Sequence, residues 1–206
     1  MVEKGLRVGV VGLGKMGLIH ASVLSVLPGV EVAVLCEKSG LTRRFFKKVF
    51  EVPIVKDVRG FAGLGLDAVY VTTPISSHFP IAKTVYEERI ARNLFVEKTL
   101  ASSYDESKKL CELASVSGGV NMVGYLRRFA VTFMKAKELL SEGAVSDIVS
   151  FEAHAYSSDY YGVGGGLGSS GARGGVLKDL GCHVLYLAFL LGSLRQLLSL
   201  HFGSST

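Results

Sequence analysis

Two rhythms of apolar positions alternate along the first 120 or so residues. Residues 6–11, LRVGVV, are short and apolar almost throughout, the pattern of a parallel strand covered on both faces. They run through GLGKMG into LIHASVLSVL (18–27), whose apolar positions recur at helical spacing, and the PG at 28–29 breaks that helix. VEVAVLCE (30–37) reads as a second strand and LTRRFFKKVFE (41–51) as a helix. DAVYVTTP (67–74) is a buried strand ending in a turn, and PIAKTVYEERIAR (80–92) is a helix with Pro80 in its first turn. NLFVEK (93–98) is a strand again. Residues 103–118 are a helix with Ser103 or Ser102 as N-cap and Gly118 just past its end.

Strand–helix alternation of this kind predicts a doubly wound α/β fold, a Rossmann parallel sheet. VNMVGYLRRF (120–129) supplies the last strand and the exit, VTFMKAKELLSEG (131–143) a helix closed by Gly143, and DIVSFEAHAYS (147–157) a strand of a second unit. GVGGGLGSSGARGG (162–175) holds eight glycines in fourteen residues and reads as a loop, not a packed element. The expected organisation is a dinucleotide-binding domain over 1–122 and an incomplete α/β domain over 123–206.

Composition narrows the function. The chain has 23 basic and 18 acidic residues, a net charge of +5. The excess is scattered, which fits solubility or an anionic small molecule better than a nucleic-acid groove. The three cysteines, Cys36, Cys111 and Cys182, are far apart, odd in number and form no CxxC, as expected of reduced thiols in a cytoplasmic protein. The N-terminus carries no long apolar stretch of the kind a secretion signal has. The run from Val184 to Leu191 is too short to span a bilayer, so no membrane partner is expected.

Chemistry concentrates at the strand ends. Gly12, Gly14 and Gly17 form G-x-G-x-x-G between a strand and a helix. The first glycine permits a tight turn, the second lets backbone approach a pyrophosphate, and the third lets helix pack on strand, while the helix N-terminus attracts the anion. Lys15 and Met16, within the loop, count with them as cofactor contacts. Glu37, twenty residues past Gly17, stands where an acid takes the ribose hydroxyls of NAD. Lys38, Ser39, Arg43 and Arg44 follow at once and could bind the extra phosphate of NADP; NAD is the expected cofactor, with NADP the alternative. Thr73, Pro74 and His78 in TTPISSH, and Glu97 in EKT, lie at the carboxyl edge of the sheet and are further cofactor candidates. Asp179 and His183 sit four apart in an otherwise apolar helix and share one face, an acid beside a base. A metal site built from Asp179, Cys182 and His183 is not expected, because Cys182 projects about 100° away from His183 on a helix.

GLGKMG, TTPISSH, FVEKTLA, GYLRRF and GGVLKDLGCH, in this order and spacing, resemble the glucose–fructose oxidoreductase / inositol dehydrogenase family (Gfo/Idh/MocA), from about Leu6 to Gly192. The resemblance implies an NAD(P)-dependent oxidoreductase acting on a sugar, polyol or related secondary alcohol. It implies a Rossmann domain followed by a domain whose open sheet often forms a homo-oligomer interface. It places the family's catalytic lysine on Lys98 and its acid and histidine on Asp179 and His183. On that reading His183 takes the hydroxyl proton, Asp179 orients the ring, and Lys98 holds the substrate oxygen. Tyr125, Arg127 and the segment YSSDYYG (156–162) would line the sugar pocket.

The chain departs from the family pattern at three places. Thr99 replaces the proline after the lysine, and a Lys–Thr bond is not expected to be cis. Tyr186 stands where an aspartate is frequent. Only SLRQLLSLHFG (193–203) follows the histidine segment, so the second domain is expected to be short of strands. These departures motivate a rival expectation, a non-catalytic dinucleotide-binding relative that senses cofactor or is completed by a partner.

Overall fold

The computed structural model describes residues 5–146, 148–155 and 177–192. The chain divides into two units, Met1–Gly124 and Tyr125–Thr206.

The first unit is a six-stranded, wholly parallel sheet in the order β3-β2-β1-β4-β5-β6. The strands are β1 (Leu6–Val11), β2 (Val30–Cys36), β3 (Ile54–Val55), β4 (Ala68–Val71), β5 (Asn93–Glu97) and β6 (Asn121–Gly124). This is the Rossmann order, with the chain reversing direction across the sheet beside β1. The helices are α1 (Lys15–Val26), α2 (Gly40–Phe46), α3 (His78–Glu87) and α4 (Tyr104–Ser117).

The β-rich, apolar strand sequences have the cause expected of them: both sheet faces are covered. On one face Val11, Val34, Val69, Val71, Leu94 and Val96 pack with Ala82 and Val85 of α3 and Leu110 of α4. On the other, Val8, Val10 and Leu35 pack with Ala21 and Leu24 of α1. Val10, Val34, Leu35, Val69 and Val71 are fully buried.

Helix ends differ from the sequence-based expectation where backbone groups find another partner. α2 stops at Phe46, as Lys48, Val49 and Phe50 turn back to bond the Phe45 and Phe46 carbonyls. α3 stops at Glu87 because Arg89 takes a left-handed conformation (φ 51°) and the Ile90 N–H returns to the Val85 carbonyl. The cut between units falls after β6, since β6 pairs with β5 up to Glu97–Gly124.

In the second unit the described residues form a 3-10 turn (Leu126–Phe129), α5 (Val131–Ser141), a π-helical turn (Leu177–Gly181) and α6 (Cys182–Leu190). The strand expected over 147–157 is not seen in residues 148–155, and Val149 is 97% exposed. An extended segment becomes a strand only when another strand takes its N–H and C=O groups, and none is paired there among the described residues. YSSDYYG, the glycine-rich segment and residues 193–203 lie outside the described residues. No described helix is long and apolar enough to cross a membrane.

Candidate functional site

The glycine loop leaves β1 at the carboxyl edge of the sheet. Gly12 adopts φ +94°, and a Cβ there would meet the Thr73 Cγ2 at 2.7 Å. A Cβ on Gly17 would lie 1.8 Å from the Gly12 carbonyl oxygen, so only hydrogen at that position lets α1 rest against the turn. A Cβ on Gly14 would meet nothing within 4 Å, which leaves the approach to this backbone open. The turn is tied from below: Gly12 N–H donates to the Cys36 carbonyl (2.7 Å), and the Thr72 hydroxyl lies 2.9 Å from both the Val11 and Gly12 carbonyls. Gly14 is the N-cap of α1, no side chain caps the helix, and no acid sits in its first turn. The first N–H groups of α1, at Lys15, Met16 and Gly17, therefore have no partner within the helix and present partial positive charge at the loop.

Glu37, just past β2, accepts from the Leu13 N–H (2.9 Å) and the Ser39 N–H (2.8 Å), so its carboxylate is fixed beside the loop. Arg43 is committed elsewhere: its Nη1 donates to the Glu37 and Lys38 carbonyls, 2.7 Å each. Arg44 is exposed on α2. Beyond β4, the Thr73 Oγ1 is buried and, among the described residues, has no hydrogen-bond partner. Pro74 is exposed. A backbone cradle open at Gly14, a carboxylate held at its side and an orphaned hydroxyl beneath Gly12 all fit a dinucleotide.

His78 departs from its expected place. Its ring is wholly buried, with Nδ1 2.8 Å from the Thr99 carbonyl and Nε2 2.7 Å from the Thr73 carbonyl. No ring atom remains for a ligand, and burial between two carbonyls makes it a strut. Glu97 is also buried (7% exposed): Oε1 lies 2.8 Å from the His20 Nε2, and Oε2 accepts from the Lys98 N–H at 3.1 Å. His20 on α1 is a partner that sequence reasoning passed over. Its only sequence signal is a place three residues past Gly17, one helical turn on. Lys98 is half-buried at the end of β5. The Lys98–Thr99 peptide bond is cis, contrary to expectation, and the Thr99 carbonyl faces the buried His78 ring.

In the second unit, Asp179 lies in the π turn and His183 in the first turn of α6. The π turn runs directly into the helix, so Asp179 precedes His183 by four residues across a change of winding. His183 is buried (8% exposed), and the Tyr125 ring meets it edge-on, centroids 6.2 Å apart. Tyr125 also stacks flat on Tyr186 at 4.4 Å. Burial pushes the Tyr125 hydroxyl above its ordinary pKa, with Cys182 and Tyr186 adding to the shift. Arg127 is exposed, whereas the adjacent Arg128 donates to the Tyr186 hydroxyl (2.5 Å) and lies over the Phe129 and Tyr186 rings. Arg128 could be found only from the fold, since one step along a 3-10 turn decides which arginine faces the aromatic cluster. Among the described residues no group of three metal-ligating side chains gathers.

Comparison with known proteins agrees with this geometry. The model of the GFO_IDH_MocA family, described as an oxidoreductase family with an NAD-binding Rossmann fold, matches residues 6–125. The uncharacterized oxidoreductase YdgJ of Escherichia coli K12 is 29% identical over 197 residues, 92% of this chain and 54% of that protein. The NAD(+)-dependent scyllo-inositol 2-dehydrogenase of Bacillus subtilis 168 is 29% identical over 156 residues, 73% of this chain and 44% of that protein. The crystal structure of GenD2 from gentamicin A biosynthesis, in complex with NAD, superposes with a TM-score of 0.72 at 25% identity, covering 94% of this chain and 55% of its own. The chain spans about half the length of the curated relatives it matches. The glycine cradle, the strand order and the family match lead to one assignment: this chain belongs to the Gfo/Idh/MocA oxidoreductase family, built on an NAD-binding Rossmann fold.

Proposed function

We propose that the protein is an NAD-dependent dehydrogenase that oxidises a secondary hydroxyl of a sugar or cyclic polyol. The observation that carries this reading is the convergence of Gly12, Glu37, Thr73 and Lys98 on one edge of the sheet, each following the carboxyl end of its strand. Ligands of open parallel sheets bind beyond that edge, where the chain reverses direction. Gly12, Gly14, Lys15, Met16 and Gly17 would hold the pyrophosphate, Glu37 the adenosine ribose, and Thr73 and Pro74 the remainder, while Glu97, buried with both oxygens bonded, supports the turn at Lys98. The engagement of the Arg43 Nη1 with two carbonyls favours NAD over NADP, because it ties that end of the guanidinium to the backbone.

Oxidising an alcohol removes a proton from oxygen and a hydride from carbon. Nicotinamide, when bound, accepts the hydride. The protein's part is the proton and the charge left on oxygen. His183 takes the proton, an imidazole being suited to this near neutral pH. Asp179 stabilises the imidazolium, and the Lys98 ammonium offsets negative charge developing on the substrate oxygen. Tyr125 and the arginine pair at 127–128 supply hydroxyl-binding surface. The inositol dehydrogenases among the relatives support a cyclic polyol as the substrate class.

The test is NADH formation from NAD with scyllo- and myo-inositol and a panel of aldoses. Turnover with at least one is expected, falling about 100-fold or more in His183→Ala. NADH binding without turnover on any of them, unchanged in His183→Ala, would select the non-catalytic dinucleotide-binding alternative.

A further inference from the structure

We propose that His20 and His78 are positioning residues that together hold the turn presenting Lys98. The proposal rests on the reading of Lys98 as the lysine that meets the substrate oxygen.

The residues on either side of Lys98 are each gripped by an imidazole from a different element. On one side His20, from α1, bonds the Glu97 Oε1 at 2.8 Å, and the other oxygen of the same carboxylate accepts the Lys98 N–H. The carboxylate is enclosed as well as bonded. A Cβ on Gly124 of β6 would lie 3.1 Å from both its Cδ and Oε1, so glycine there is what admits Glu97. The His20 ring is fixed in turn by two aromatics, Phe95 at 4.9 Å and Tyr70 at 5.9 Å, which stack on each other at 5.0 Å. On the other side the buried His78 spans from the Thr73 carbonyl to the Thr99 carbonyl. The rigid His20 ring brings one nitrogen to the carboxylate, and the rigid His78 ring fills the space between the two carbonyls.

Both grips start from the cofactor elements. His20 stands on the helix whose N-terminus opens at Gly14. Thr73 packs against Gly12 closely enough that a Cβ there would collide with it. Two contact routes, α1–His20–Glu97–Lys98 and Gly12–Thr73–His78–Thr99, therefore join the glycine loop to the backbone flanking Lys98. Lys98 is thereby held from the elements that carry the glycine loop, and the two histidines make the connection. Neither histidine needs to touch substrate.

Reductive methylation with ¹³C-formaldehyde turns each lysine into an NMR probe, and loss of one signal in Lys98→Arg assigns Lys98. In the full chain, His20→Ala and Glu97→Gln are expected to move the Lys98 signal while those of Lys83 and Lys109 stay in place. The double variant should move it no further than the larger single change, as both act through one contact. Glu97→Gln keeps side-chain volume but cannot accept both partners, so it decides the matter if His20→Ala does not fold. His78→Leu should also move the signal; if that variant does not fold, His78→Gln is read by the same criterion. For His20→Ala, kcat should fall about tenfold with KM for NAD little changed, as expected of a displaced catalytic group. A Lys98 signal unmoved in folded His20→Ala and Glu97→Gln proteins would overturn the proposal. Retained turnover in Lys98→Ala would instead remove Lys98 from the reaction, and the NMR shifts would still report whether the histidines hold it.

Discussion

Gly17 shows how much one hydrogen atom decides. Its position relative to the Gly12 carbonyl leaves no space for a methyl group, and the obstacle is backbone rather than a movable side chain. Gly17→Ala should lift α1 from the turn, destabilise the fold by about 1–3 kcal/mol or more, and weaken NADH binding; thermal unfolding and a fluorescence titration check both. Cys36 makes a second case. Its thiol, ordinarily at 9.0, is pushed up to about 12, first by burial and then by Asp57 and Glu37, against a lowering by Arg43. Between these values the unfolded chain ionises the thiol and the folded chain does not. Its contribution to stability is therefore full below the unfolded value of 9.0 and is lost as pH rises towards about 12. Tyr86, also pushed up to about 12, acts with the same sign. Denaturant unfolding should lose stability above pH 9.0 with a shallower slope in Cys36→Ala. At neutral pH a thiol reagent should label exposed Cys111 and spare buried Cys36.

At the scale of elements, α1 and α4 begin in opposite ways for one physical reason. α4 is capped: the Ser103 hydroxyl accepts from the Glu106 N–H (3.2 Å), and the Glu106 carboxylate reaches back to the Ser102 N–H (2.9 Å). Gly118, at φ 61°, closes its other end. Ser103→Ala should cost about 1 kcal/mol, read as a lower midpoint in urea without loss of cofactor binding. α1 has no such cap, and its open N-terminus is what an anion needs. Both starts are legible in the sequence, since a serine before an acidic turn and a glycine triplet after a strand are local signals. The π turn before α6 is not, because Leu177–Gly181 carries no residue pattern that separates π from α winding.

For the whole molecule, the Rossmann unit brings its candidate residues from four strands to one edge, so ligand and fold are thermodynamically linked. NADH at about 100 times its Kd should stabilise the folded chain by about 2.7 kcal/mol, seen as a rise in Tm that NADPH at the same concentration does not match. A rise that Glu37→Ala abolishes would locate the gain at the carboxylate bonded to Leu13.

The sequence by itself determined five of the six strands of the first unit and the helices between them, though not the two-residue β3 at its edge, together with the glycine turn, the ends of α4 and the residues able to carry chemistry. Each of these depends on neighbours within a few positions, and periodicity and turn chemistry record such neighbours. Only the tertiary structure decided which of them meet. His20 and Glu97 are 77 residues apart, His78 and Thr99 are 21 apart, and Leu13 and Glu37 are 24 apart. Each pair forms because parallel strands end side by side at one sheet edge. That is why His78 reads as a ligand contact in sequence and is a buried strut in the fold. In the second unit the choice of Arg128 over Arg127 against Tyr186 is likewise made by the fold, by one step along a 3-10 turn. Hydrogen bonds between distant segments leave no local mark, because the partner is supplied by the sheet and not by the chain on either side.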